Sequence, residues 1–170
     1  MKKLVFALFF LSFYCLSAQY VDRSFFKAGF HGAIPVGETA DIASFSLGVD
    51  LFQHWGVSKE IDLGIATGFT NAFLKDEIEI NGITFETDFD NVQFLPVAGL
   101  VRIYPTSSFN LGADVGYAIG INEGNDGGFY YRPCLSLKIN SNTELHFSYT
   151  GVSQDGSTWS TVTGGIAFLF

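Results

Sequence analysis

Few residues in this chain combine a reactive side chain with a suggestive spacing. His146-Phe147-Ser148 sets an imidazole two residues from a hydroxyl. In a strand, residues i and i+2 share a face. An imidazole beside a hydroxyl can take its proton and make it a nucleophile for acyl transfer. Glu144 shares their parity, but that parity is the polar one, and no carboxylate falls on the apolar side. His31, His54 and His146 are scattered without the spacing of a metal site. The stretch Asn122-Glu-Gly-Asn-Asp-Gly-Gly offers oxygen ligands near glycine, yet lacks the glutamate at position 12 that closes a calcium loop; it reads as a turn. There is no phosphate-cradling loop and no nucleophile elbow. The spacing implies neither cofactor nor metal, and Cys134 reads as an inert, inward-packed thiol.

The charged residues are placed more regularly. Lys27, Asp50, Asp62, Arg102, Asp114, Arg132, Lys138 and Glu144 all sit in stretches that alternate polar and apolar residues. The opposite parity reads Phe26, Phe30, Ile34, then Leu47, Val49, Leu51, then Leu63 and Ile65, and so on to Leu145 and Phe147, with no charge in any stretch. A charge facing lipid costs about 2–4 kcal/mol at the bilayer midplane, and a buried charge persists only with a partner. Both conditions hold if the charged face lines the inside of a barrel and the apolar face meets lipid. Four of the charges are positive and four negative, so they can close into a neutral network, the expected lumen of the barrel. A soluble sandwich or lipocalin-like barrel would sort its charges the other way. Glycines also gather on the charged face, Gly48, Gly64, Gly112 and Gly116 among them, as a narrow interior full of large side chains requires.

Eight such stretches run between turn residues: 24–34, 43–53, 61–73, 92–104, 109–120, 128–139, 144–152 and 159–170. Most are ten to thirteen residues, the length of a tilted membrane crossing. The last, Trp159 to Phe170, alternates to a terminal phenylalanine. The fold class expected is all-β, an eight-stranded antiparallel up-and-down transmembrane β-barrel. Aromatic residues near the stretch ends suggest two interfacial girdles, with Phe25, Phe26, Trp55, Tyr104, Phe109, Phe168 and Phe170 in one and Phe69, Phe73, Phe129, Tyr131 and Trp159 in the other.

The 170 residues suffice for one domain. The chain is 48% hydrophobic, with 19 Phe, 19 Gly and a mean hydropathy of +0.28. Beyond residue 18 no apolar run approaches the roughly 18 residues of a membrane helix. Residues 1–18 read as a signal peptide: Lys2-Lys3, an apolar stretch Leu4 to Leu16, then Ser17-Ala18 before Gln19. Cys15 follows Tyr14, not the small residue expected at a lipidation site. The barrel domain would be 19–170, with a single cysteine and hence no internal disulfide. Losing Lys2 and Lys3 takes the net charge from −8 to −10. Such acidity, without a basic patch, argues against nucleic acid.

Eight strands place both termini on one side, with short turns there and longer loops opposite. The expected periplasmic turns are 54–60, 105–108 and 140–143, and the outer loops 35–42, 74–91, 121–127 and 153–158. Almost all remaining acidic residues fall in those outer loops, with Lys75 the one base among them. The candidate ligand-binding acids are Glu77, Glu79, Glu86, Asp88 and Asp90, and divalent cations are a possible partner. Glu77 to Glu86 alternates about Asn81-Gly82, the pattern of a hairpin standing above the membrane.

Ser17-Ala-Gln, Pro35-Val-Gly, Leu111-Gly-Ala-Asp-Val-Gly-Tyr, Asn125-Asp-Gly-Gly-Phe-Tyr-Tyr and terminal Phe170 together resemble the small outer-membrane β-barrel proteins common in Bacteroidota. The resemblance covers the mature chain. It implies an outer-membrane location, insertion by the barrel-assembly machinery, and lipid and lipopolysaccharide as neighbours, and it transfers no catalytic residue. The first functional reading is a non-enzymatic barrel with a structural or surface-binding role. The alternatives are a narrow pore for small solutes and a lipid-modifying enzyme using His146 and Ser148, since the pair resembles that of outer-membrane lipid A deacylases.

Overall fold

A computed structural model describes residues 23–80, 83–86, 90–154 and 156–170, with backbone alone at 78–80 and 83–86. The proposed leader, 1–18, and Asp88 lie outside the described residues, as do the side chains of Glu79 and Glu86.

The strands are β1 Ser24–Pro35, β2 Ala43–Gly56, β3 Ile61–Leu74, β4 Glu77–Ile80, β5 Ile83–Glu86, β6 Val92–Thr106, β7 Phe109–Gly120, β8 Gly128–Lys138, β9 Thr143–Gln154 and β10 Ser157–Leu169. One helical turn, α1 Thr39–Ile42, sits between β1 and β2. Eight strands close in the order β1-β10-β9-β8-β7-β6-β3-β2, every pair antiparallel. The barrel expected from alternation is the barrel formed. The first and last strands seal it, with Lys27 opposite Leu169 and Pro35 opposite Thr161. Phe170 N–H donates to the Phe26 carbonyl at 2.8 Å, which carries the seam one residue past the end of β10.

Closure sorts the side chains as the parity requires. Phe30 is 63% exposed and Ile34 69%, while Asp62 and Asp114 are fully buried. A water-soluble protein buries the first kind and exposes the second; this wall is turned to lipid. The large exposed apolar residues recur on all eight wall strands, from Phe26 in β1 to Phe168 in β10. Inside, the charges share the lumen with apolar residues: Phe52, Leu100, Phe94, Tyr130 and Val152 form one buried cluster.

Three aromatics placed in the girdles belong inside: Phe25, Trp159 and Tyr104, which shares the parity of buried Arg102 and lies 5.4 Å from the Arg23 guanidinium. Phe25 shares the parity of Lys27, stacks on His54 at 4.6 Å and lies 5.4 Å below the Lys27 ammonium. Trp159 shares the parity of Thr161 and Thr163, both buried, and packs on Phe94 at 5.9 Å. Proximity to a strand end suggested the girdle; parity decides the face.

On the side of the termini the connections are 57–60, 107–108 and 139–142. On the other side they are 36–42, 75–91, 121–127 and 155–156. The last is tighter than the expected 153–158 loop, because β9 and β10 remain paired out to Gln154 and Ser157, and Gly156 supplies the positive φ of 88° there. In the long connection β4 pairs with β5 as a separate two-stranded sheet, Glu77 opposite Glu86 and Ile80 opposite Ile83. This is the hairpin expected around 81–82.

Candidate functional site

The lumen and one open rim are the two places where functional side chains gather. In the lumen, Arg132 of β8 reaches across the barrel. Its Nη1 donates to Asp50 Oδ1 at 2.7 Å, on the diametrically opposite strand β2, and its Nε donates to Asp114 Oδ2 at 2.9 Å on neighbouring β7. Arg102 Nη1 lies 2.6 Å from Asp114 Oδ1. Lys27 Nζ donates to both oxygens of Glu144, at 2.8 and 2.9 Å. These three cations and three carboxylates are all at most 5% exposed. Phe52 lies among them, its ring 5.1 Å from the Arg132 guanidinium and 5.8 Å from that of Arg102, a placement that favours cations over the ring face.

The pairing departs from the four-with-four expectation in two ways. Asp62 is held by Arg23, which precedes β1 and donates through Nε and Nη2. Lys138, at the turn end of β8, is partly exposed and makes no ion pair among the described residues. Arg23 was missed because it lies outside any alternating stretch; it folds into the barrel mouth over the Tyr104 ring, 5.4 Å away.

Two of the histidines, scattered in sequence, converge on one carboxylate. His31 Nδ1 donates to Asp50 Oδ2 at 2.7 Å, and His146 Nε2 lies 3.3 Å from the same oxygen. His54 Nδ1 sits 3.7 Å from Asp62 Oδ2. Two glycines explain how imidazoles fit in so narrow a space. A Cβ on Gly48 would collide with the His31 ring, and one on Gly165 with the His146 ring. No sequence spacing signals this convergence, since the two histidines come from β1 and β9.

His146 and Ser148 are both buried in the lumen, at 6% and 7% exposure. Ser148 Oγ has no hydrogen-bond partner among the described residues, His146 included, and neither side chain reaches the lipid face. Two voids lower in the lumen measure about 10 and 30 Å³. The smaller, beside His146 and Ser148, is at the limit for one water molecule. Cys134 borders that same void.

The rim away from the termini opens into a cup of about 700 Å³. Its floor is Trp159 and Phe94, and Trp159 also borders the 30 Å³ void beneath. Glu38, Asp90 and Glu123 stand around it, all exposed. Of the two candidate loop acids whose side chains are described, Asp90 lines this cup, and Glu77 is exposed on the hairpin and outside it.

No family model matches the chain, and no curated protein matches it. Solved structures match its fold. The crystal structure of Ail, the attachment invasion locus protein of Yersinia pestis, aligns with a TM-score of 0.56 at 14% identity, over 86% of this chain and 97% of Ail. The N-terminal β-barrel domain of Pseudomonas aeruginosa OprF gives 0.57 at 11% identity, over 86% and 97%. A de novo designed transmembrane β-barrel gives 0.54 at 14% identity, over 89% of this chain and 100% of the design. At such identities the likeness is one of fold. With its apolar wall outward and its charges inward, the chain is a small transmembrane β-barrel of the outer-membrane class.

Proposed function

We propose that the protein is a non-enzymatic, non-conducting outer-membrane barrel that acts at its acidic rim, as a structural and surface-binding element. The observation that carries this is the filled lumen. Arg132 spans it from wall to wall, and the voids beside it, among the described residues, measure about 30 and 10 Å³, against about 700 Å³ at the rim. An eight-stranded barrel is just wide enough to be filled by its own side chains. A pore needs a continuous path, and a lipid-modifying site needs His146 and Ser148 to meet a substrate; neither reading gains support from this interior. Purified protein in planar bilayers should give no steady ion conductance. Steady conductance through single inserted barrels would overturn the reading in favour of the narrow pore.

The mature chain would be 19–170 after removal of 1–18, inserted by the barrel-assembly machinery, with lipopolysaccharide and divalent cations as neighbours of the rim. The Bacteroidota affinity rests on the sequence phrases alone. Ail has been solved in complex with the heparin analogue sucrose octasulfate, a polyanion; the acidic loops here suit ligands of the opposite sign. The long connections and the cup would face outward, because outer-membrane barrels keep their short turns on the periplasmic side. In a Cys134→Ser background, Glu123→Cys should react with an impermeant maleimide on intact cells and Ser107→Cys should not. Labelling at 107 in sealed cells would invert the orientation.

A further inference from the structure

We propose that the cup at the outer rim binds an amphipathic organic cation, a quaternary or protonated ammonium carried on a small apolar body. The proposal deepens the surface-binding reading and rests on it. The cup's volume of about 700 Å³ falls within the range of small-molecule sites. Its floor is aromatic, Trp159 against Phe94, and Ile42, Leu74 and Val92 add apolar wall. Ring faces attract cations, tryptophan most strongly. Glu38, Asp90 and Glu123 supply negative charge around this floor, and no Lys, Arg or His is among the described residues lining it.

Two competing ligand classes fit less well. A bare metal ion needs carboxylates that converge within coordination distance. Among the described residues no three His, Cys, Asp or Glu side chains are close enough to hold one; the three acids come from separate connections and ring a wide cup. A neutral sugar needs free amides and hydroxyls. Here Asn122 Oδ1 accepts from the Gln93 N–H at 2.9 Å, Asn125 Nδ2 donates to the Gln93 carbonyl at 2.8 Å, and Gln154 Nε2 donates to Asn125 Oδ1 at 3.3 Å. These amides hold the loop, not a ligand. Opposite them Thr39 pins α1 to β10, its Oγ1 accepting from the Ser160 N–H at 2.8 Å. Both walls are therefore held in place before a ligand arrives, which lowers the ordering cost of binding.

The test uses the full mature barrel in uncharged maltoside micelles with benzyltrimethylammonium as the probe. A Trp55→Phe background leaves Trp159 as the sole tryptophan. Saturable quenching of Trp159 fluorescence is expected, confirmed by calorimetry. Trp159→Leu should weaken binding about five- to thirtyfold, and Trp159→Phe should recover part of the loss. Glu38→Gln with Glu123→Gln should weaken it by roughly tenfold while leaving the gel mobility of the folded barrel unchanged. Three outcomes overturn the proposal: no saturable binding, binding indifferent to Trp159→Leu, or quenching produced by calcium or a neutral sugar and not by the ammonium. A barrel that conducts no ions yet ignores the probe leaves the non-conducting reading standing and removes this one.

Discussion

Arg132→Met should destabilise the barrel by about 3–5 kcal/mol, the cost of breaking a buried ion pair by removing one partner. The variant loses donors to Asp50 and Asp114 together, 2.7 and 2.9 Å from the guanidinium. Asp114 keeps Arg102, but among the described residues Asp50 is left with the two imidazoles of His31 and His146. The methionine fills much of the volume and none of the charge. Urea unfolding in micelles or bilayers reads the loss directly, supported by the heat-dependent gel shift of the folded barrel. Adding Asp50→Asn should restore much of it, because the uncompensated carboxylate is then gone, while Asp114 stays to pair with Arg102. If Arg132→Met unfolds at the same urea concentration as the parent, the lumen is wet and the non-conducting reading weakens with it.

Val115→Arg should cost about 2–4 kcal/mol in a bilayer, the penalty for a cation on the lipid face near the midplane. Val115 lies in the middle of β7, between Gly99 and Tyr131 on the flanking strands, and is 49% exposed on the wall. The next residue back, Asp114, is fully buried in the lumen. Two neighbours in the chain thus obey opposite rules. The same change at Ile139, exposed just past β8, should cost about 0–1 kcal/mol, since the penalty falls towards the interface. Unfolding titrations in lipid vesicles measure both. Equal and small effects at the two positions would mean that the exposed apolar wall does not face lipid.

The wall was legible because its code is local. A strand repeats every two residues, so a charge at Asp62 and a leucine at Leu63 declare opposite faces without reference to any other strand. Turn residues then divided the chain, and all eight wall strands fall where alternation put them, with ends shifted by a few residues. Even the Glu77 to Glu86 hairpin was readable, because Asn-Gly between alternating flanks is a strong short-range signal. Where nearness to a strand end was weighed above parity, as for Phe25 and Trp159, the sequence reading misplaced the ring.

Partners inside the barrel were not legible, and the reason is geometric. Parity says that Arg132 and Asp50 both point inward, but 82 residues separate them. Only closure and the stagger of the strands set them at the same height on opposite walls. The same holds for His31 and His146 on Asp50, and for Arg23, which reaches Asp62 from outside every alternating stretch. The cup is the extreme case: Glu38, Asp90, Glu123 and Trp159 lie in four separate parts of the chain. The sequence by itself determined the class of fold, the face of nearly every side chain and the acidity of the loops, because each depends on neighbours in the chain. The tertiary structure decided which charges meet, that the lumen is filled and that an aromatic-floored cup opens above it, because each depends on distances across a closed ring of strands.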